Sequence, residues 1–309
     1  MINTFENKEE KVKKLIDIYK LSEKEHYKVY EIIKKYYLRD IQKSEHPIAI
    51  IVGAQPGSGK GSLIGYSRRE FYDKNNILII STDDYKPFHP KASEIAKKFP
   101  AEYSSVIEAD SAKWTSKILQ EAIQNKYSFI FECTLKNERI LERMKELKEN
   151  GFEVIVRGMA VSYLESLLSA YERYEKQVES RNWGRFFDPL NYNNIYQNIP
   201  NTIETIEKSE YCDALEIYKR GEDIKSPQLI YASYKKEYRE KYNIIKQLFE
   251  YNTAKEAIMK YRNQEIENMK GTVQDRLKRL EQSFERRETT QEEKEGIKVL
   301  KEIIDNYNI

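Results

Sequence analysis

Residues 48–62 constrain this chain more than any other stretch. Ile48-Ala49-Ile50-Ile51-Val52 is a short continuous apolar run, the pattern of a strand buried on both faces of a sheet. It leads directly into Gly53-Ala54-Gln55-Pro56-Gly57-Ser58-Gly59-Lys60-Gly61-Ser62. A glycine-rich turn lets backbone N–H groups converge on a polyanion, and the helix start behind it adds partial positive charge. Lys60, at the end of the turn, can then reach the terminal phosphates of a nucleotide as a mobile point charge. Residues Gln55, Pro56, Gly57, Ser58, Gly59, Lys60, Gly61 and Ser62 are therefore the expected ATP-binding loop. The loop departs from the usual G-x-x-x-x-G-K-[ST] pattern at each end. Ala54 stands at the first glycine position, with Gly53 one residue earlier. Gly61 stands where a hydroxyl normally helps to hold Mg²⁺, with Ser62 one residue later. Ser62 or a water is the expected substitute for that ligand.

The stretches around the loop predict its architecture. Further apolar runs lie at 77–80, 127–131, 152–156 and 214–218, with helical patterns near 61–73, 109–125, 137–149, 162–180 and 191–208. Strands alternating with helices predict an α/β fold, a mostly parallel sheet flanked by helices. Residues 1–46 read as a helical segment, with a capping box at Ser22 and Glu25 and a stop at His46-Pro47. Residues 47–229 read as the P-loop kinase domain and 230–309 as a C-terminal helical region packed on it. In that last region Thr290 with Glu293 marks another cap, and Gly271 breaks the helical pattern in two. Tyr231, Tyr234, Tyr238 and Tyr242 recur at helical spacing and read as a packing stripe rather than a base-stacking surface.

Charge and composition exclude several classes. Lys+Arg (53) and Asp+Glu (51) nearly cancel over 309 residues, so there is no general basic field and no nucleic-acid partner is expected. Cys133 and Cys212 stand in no metal or redox spacing, which predicts a reducing compartment and two small core residues. Met1 is followed by polar residues, and no apolar run approaches the roughly 20 residues of a membrane span, so a cytoplasmic protein is expected.

In a parallel sheet, ligands bind beyond the C-terminal ends of the strands. Asp83 and Asp84 follow the second apolar run there, placed to act as a base on an acceptor hydroxyl, to hold Mg²⁺, or simply to cap the next helix. His89, before Pro90, reads as a substrate contact or a turn residue. Glu132 follows the third run and can accept hydrogen bonds from a sugar, or be an ordinary strand-end charge. Arg173 on a long helix, and Arg181 and Arg185 in the stretch after it, can stabilise a transferring phosphoryl group or lie on a solvated face.

Taken in order, these segments resemble the zeta toxins, the kinase half of the epsilon/zeta toxin–antitoxin systems, over residues 45–225. The resemblance is carried by the loop Gln55–Lys60, by Thr82-Asp83-Asp84-Tyr85-Lys86 with His89-Pro90, and by Phe131-Glu132-Cys133-Thr134-Leu135-Lys136. Glu172-Arg173-Tyr174-Glu175 is similar to the family's first arginine segment, and Asn198-Ile199-Pro200-Asn201 to the stretch downstream of its second. Counting back from the latter selects Arg185 over Arg181.

The resemblance implies transfer of the ATP γ-phosphate to the 3′-hydroxyl of the amino sugar of UDP-N-acetylglucosamine, which blocks peptidoglycan precursor synthesis. It implies that Lys60, Arg173 and Arg185 neutralise the transferring group and that Asp83 is the base. Glu132, Thr134 and Lys136, with Asp83, would hold the nucleotide sugar. It also implies a helical antitoxin as partner, for which the N-terminal segment is a candidate dock. The chain departs from the family at Ala54, Gly61, Cys133 (for Gly), Lys136 (for Arg) and Phe186-Phe187-Asp188-Pro189. These departures leave open a kinase with another nucleotide-type acceptor, or an ATP-binding module without catalysis.

Overall fold

A computed structural model describes residues 2–70, 76–181, 184–187, 189–221, 226–245 and 249–307. Residues 71–73 of the expected third helix, together with Asn182, Trp183 and Asp188 and the Arg181 side chain, lie outside the described residues. The strands are β1 (Ile48–Gly53), β2 (Leu78–Ile80), β3 (Phe129–Cys133), β4 (Glu153–Met159), β5 (Ala214–Lys219) and β6 (Gln228–Tyr234). The first nine helices are α1 (Ile2–Tyr19), α2 (Glu23–Leu38), α3 (Lys60–Arg69), α4 (Thr82–Tyr85), α5 (Ala92–Lys98), α6 (Tyr103–Gln124), α7 (Arg139–Glu149), α8 (Tyr163–Arg181) and α9 (Pro189–Lys208). After β6 come α10 (Lys236–Lys241), α11 (Ala254–Met269), α12 (Val273–Glu285) and α13 (Gln291–Asn306).

The sheet runs β2-β3-β1-β4-β5-β6, with every pair parallel except β5 and β6. The expected α/β class and mostly parallel sheet are thus what the chain adopts. Side chains alternate across β1. Ile50 and Val52 pack with Leu63 of α3 on one face. Ala49 and Ile51 face the other side, which is covered by apolar residues of α2, α6, α7, α9 and α11. This two-faced burial is why the strand is apolar at every position. The order places the β3 and β4 chains on opposite sides of β1, so the C-terminal end of β1 is a topological switch point.

Local signals set the helix ends. Ser22 with Glu25 and Thr290 with Glu293 form complete capping boxes at α2 and α13. Gly151, at φ +75°, terminates α7 in the left-handed region, and Gly271 separates α11 from α12. The N-terminal helices pack against α6: His26 stacks on Trp114, with ring centroids 5.0 Å apart.

The tyrosine pattern misled. Tyr231 and Tyr234 lie on β6, Tyr238 on α10, and Tyr242 just past its end. The rings of Tyr234, Tyr238 and Tyr242 do pack in succession, 5.8 and 4.8 Å apart, but across a strand-to-helix junction rather than along one helix. β6 also crosses the point, at 229/230, where the sequence placed the start of the C-terminal region.

A second apolar core lies away from the sheet. It joins Leu164, Leu167, Leu168 and Tyr171 of α8 to Val273, Leu277 and Leu280 of α12 and Leu300 and Ile304 of α13. The helix that carries Arg173 is thereby clamped by the C-terminal region. Among the described residues, no helix is long and apolar enough to cross a membrane.

Candidate active site

The loop after β1 is shaped by glycines that no other residue would replace easily. Gly57 and Gly59 have φ of +74° and +95°, and a Cβ on Gly57 would lie 1.9 Å from the Ser166 carbonyl oxygen. Gly59 is the residue before α3, so the turn delivers Lys60 at the helix start. Gly53 has a different task from the one the loop pattern assigns to a first glycine. A Cβ there would fall 2.1 Å from Cγ of Leu135, whose buried side chain folds over the end of β1. Leu135 itself has φ +51°, a strained conformation for a bulky residue beside a candidate site.

Donors hold every carbonyl from Ala54 to Ser58. The Lys60 ammonium donates to Ala54 O (2.9 Å) and Gln55 O (3.1 Å). The Tyr192 hydroxyl donates to Pro56 O at 2.9 Å. The Arg220 guanidinium donates to Gly57 O, and through Nε to Ser58 O at 3.3 Å. The Ser58 N–H closes the turn by donating to Gln55 O at 3.3 Å, so the loop is held from both sides in the shape of a phosphate cradle. The buried Gln55 side chain donates to Val161 O at 2.7 Å and accepts from Arg262 at 3.3 Å. Arg262 is itself buried, its guanidinium 3.8 Å over the Tyr196 ring. The Ser58 hydroxyl is buried with no hydrogen-bond partner among the described residues.

Charged groups converge beyond the strand ends. Pairing of Val52 with Glu132 in the β1/β3 register brings that carboxylate beside the loop. Glu132 lies 3.8 Å from the Lys60 ammonium and accepts from the Ser81 hydroxyl at 2.8 Å. Burial pushes the Lys60 pKa down, opposed by Glu132 and Asp83. Asp83 pairs with Arg185 through one oxygen and with Lys86 at 3.0 Å through the other. Burial alone would raise the Asp83 pKa, but Arg185 and Lys86 outweigh it and hold the carboxyl at about 2. Lys86 is buried and also meets Glu108 at 2.8 Å. Ser81 precedes α4, so Asp83 is not its cap residue, and Asp84 is exposed.

Arg173 has an exposed side chain and forms no ion pair among the described residues. Although the side chain reaches solvent, the protein crowded around it partly desolvates the guanidinium and lowers its pKa, as does Arg185, while Asp83 and Glu132 oppose this. Lys60, Asp83, Glu132, Arg173 and Arg185 thus share one electrostatic site.

Thr134 and Lys136 lie further along, lining an adjoining cavity of about 230 Å³ with Thr115, Cys133, Arg139 and Arg143. His89 is buried 3.8 Å from Asp110 and accepts from the Lys91 N–H, so it is a turn residue within the packing under the N-terminal helices. Arg220, Arg262 and Tyr192 were absent from the sequence reading. Their only signal was position, Arg220 standing two residues after the fifth apolar run, and a Lys-Arg pair there reads as surface charge.

The residues present do not reproduce the usual Mg²⁺ ligand set. Gly61 offers no hydroxyl, although a Cβ there would meet nothing within 4 Å. Asp83 and Glu132 are each engaged by cations or hydroxyls of the chain. No group of three or more His, Cys, Asp or Glu among the described residues is arranged to hold a metal.

Known proteins resemble this chain in sequence and in fold. A sequence model of the family described as zeta toxin matches residues 34–228. The toxin zeta of Streptococcus pyogenes is 26% identical over 178 residues, covering 57% of this chain and 61% of that protein. The toxin zeta of Enterococcus hirae is 27% identical over 178 residues, covering 57% and 62%. The matched region therefore spans about three fifths of the length of these relatives. A solved structure from the PezAT chromosomal toxin–antitoxin system of Streptococcus pneumoniae superposes with a TM-score of 0.65 at 19% identity, covering 85% of this chain and 98% of that one, which shows a common fold. The family model spans more than half of the chain, and on that ground the chain belongs to the zeta toxin family.

Proposed function

We propose that this chain transfers the γ-phosphoryl group of ATP to the 3′-hydroxyl of the amino sugar of UDP-N-acetylglucosamine. The observation that carries the reading is the convergence of Lys60, Glu132, Asp83, Arg173 and Arg185 on one site beside a loop whose carbonyls are all held by donors. Phosphoryl transfer passes through a loose transition state with charge spread over the transferring group, so catalysis is mostly positioning and charge stabilisation. Lys60 exchanges its bonds to Ala54 and Gln55 for phosphate oxygens. Arg173, which has no ion-pair partner among the described residues, and Arg185, already beside Asp83, supply positive charge to the transferring group. Asp83, ionised at every physiological pH, accepts the hydrogen bond of the acceptor hydroxyl and takes its proton late in the transfer.

Glu132 and Thr134 bind sugar hydroxyls. The adjoining cavity, with Lys136, Arg139 and Arg143 on its wall, suits the diphosphate of a nucleotide sugar. ATP carried with Mg²⁺ is the donor, the loop contributing no side-chain ligand at Gly61. A helical antitoxin is the partner we propose, supported by the toxin–antitoxin system of the solved relative.

Cys133 on the cavity wall favours a second reading, the same chemistry on a different nucleotide sugar. One reaction separates the two: purified protein, Mg²⁺, ATP and a panel of nucleotide sugars, read by mass. Phosphate gained by UDP-N-acetylglucosamine supports the assignment. Gain by another sugar alone replaces the substrate, and no gain by any of them overturns the kinase reading.

A further inference from the structure

We infer that Arg220 is a positioning residue for the phosphate loop, and that it relays the position of the arginine helix and the C-terminal region to that loop. The inference rests on the reading that the loop binds a nucleoside triphosphate.

Arg220 follows the last residue of β5, at the same end of the sheet as the loop. One edge of its guanidinium donates to the carbonyls of Gly57 and Ser58. Its remaining nitrogen donates to a Glu165 carboxylate oxygen and to the Ser169 hydroxyl at 3.1 Å. The other Glu165 oxygen is taken by Arg276 of α12. Arg276 also forms a bidentate pair with Glu172, at 2.7 and 2.9 Å. Glu165, Ser169 and Glu172 lie on one stripe of α8 at spacings of four and three residues.

The chain of contacts therefore runs from two loop carbonyls through Arg220 and Glu165 to Arg276, and back to the residue next to Arg173. Its members are part-buried, with side-chain exposures of 29% for Arg220 and 15% for both Glu165 and Arg276, so solvent screens them less than an open surface pair. The backbone adds to the coupling, because Gly57 sits against the Ser166 carbonyl of the same helix.

By holding the Gly57 and Ser58 carbonyls, Arg220 fixes the two peptide planes at the turn of the loop, while the Ser58 N–H closes that turn on Gln55 O. Arg220 thus acts on the nucleotide through the loop. The tripod of Gly57, Ser58 and Glu165 needs a planar fork, which a lysine reproduces only in part.

The test compares wild type with Arg220→Ala, Arg220→Lys and Arg276→Ala. It reads ATP dissociation constants with a fluorescent ATP analogue, the KM for ATP against the KM for acceptor, and amide hydrogen exchange over residues 54–60 without nucleotide. Losing charge-assisted bonds to two carbonyls should weaken ATP binding by about tenfold or more in Arg220→Ala. The acceptor KM should stay unchanged, loop exchange should accelerate, lysine should restore part of the affinity, and Arg276→Ala should show the same pattern more weakly. Unchanged ATP affinity and unchanged loop exchange in Arg220→Ala would overturn the inference. If Arg220→Ala does not fold, Arg220→Lys decides by the same readouts. If wild type binds no ATP the nucleotide reading fails, and exchange in the free protein still decides the role of Arg220.

Discussion

Gly61 concentrates the chemistry that distinguishes this chain. The position is open, since a Cβ there would touch nothing within 4 Å, and it lies on the first turn of α3. The Cβ of a threonine there meets no neighbour, and its side chain restores a hydroxyl at the position where G-x-x-x-x-G-K-[ST] loops hold Mg²⁺. Gly61→Thr is expected to lower the Mg²⁺ concentration needed for half-maximal nucleotide binding, read by titrating a fluorescent ATP analogue. An unchanged or higher requirement would mean that another group already serves the metal. Asp83 gives a second test at this scale. Its folded pKa, about 2, lies below the ordinary carboxylate value. The stabilisation from its ion pairs is therefore complete above the ordinary range, near pH 4, and is lost only as pH falls toward 2. The pH profile of kcat should accordingly show no acid limb from this group above about pH 4. A limb near neutrality that vanishes in Asp83→Asn would contradict this. The central loop residues were legible in the sequence because a phosphate cradle is built from neighbours in the chain. Spacing alone left Asp83 and Asp84 equivalent and the family resemblance selected Asp83; in the structure the Arg185 and Lys86 pairings, with the exposure of Asp84, set the two apart.

At the scale of elements, one network centred on the buried Arg157 ties β4, β5 and α3 together beneath the site. Arg157 of β4 bonds Glu216 of β5 at 2.8 Å, Ser67 of α3 at 2.8 Å, and both oxygens of Glu70 at 2.9 Å. Glu216 also accepts from Tyr218 at 2.8 Å and from Tyr234 of β6 at 3.0 Å. Arg157→Met leaves a buried carboxylate without its cation and should cost roughly 3–5 kcal/mol in denaturant unfolding. The double variant with Glu216→Leu should recover most of that loss, and a single variant as stable as wild type would contradict the account. The five parallel strands were legible as apolar runs because burial on both faces removes polar alternation. β6 was not, because it is an antiparallel edge strand whose residues are mostly half-buried. Its tyrosines, at spacings shared with a helix, then obscured the strand period.

For the molecule as a whole, the terminal regions are part of one body with the sheet. Ala254, Ala257 and Ile258 of α11 belong to the main apolar core, and Arg262 of the same helix bonds Gln55 of the phosphate loop. Lys11 of α1 bridges Glu102, which precedes α6, at 2.8 Å and Glu292 of α13 at 2.7 Å, so the two extensions also meet. Their helical character was legible from caps and periodicity, but which faces they cover was not, since a charged amphipathic helix does not name its partner. Removing residues 254–309 should expose the sheet's core face and abolish both cooperative unfolding and ATP binding. A truncated chain that melts cooperatively and binds ATP would show that the C-terminal region is dispensable.

The central claim is phosphoryl transfer to the amino sugar by the convergent charged site, and one measurement meets it directly. Wild type and Asp83→Asn are incubated with ATP, Mg²⁺ and UDP-N-acetylglucosamine, and the product is read by phosphorus and proton NMR. The account predicts a new phosphate monoester on the 3′-hydroxyl of the amino sugar with wild type and little or none with Asp83→Asn. Unmodified sugar with wild type, or equal product from both proteins, would contradict it.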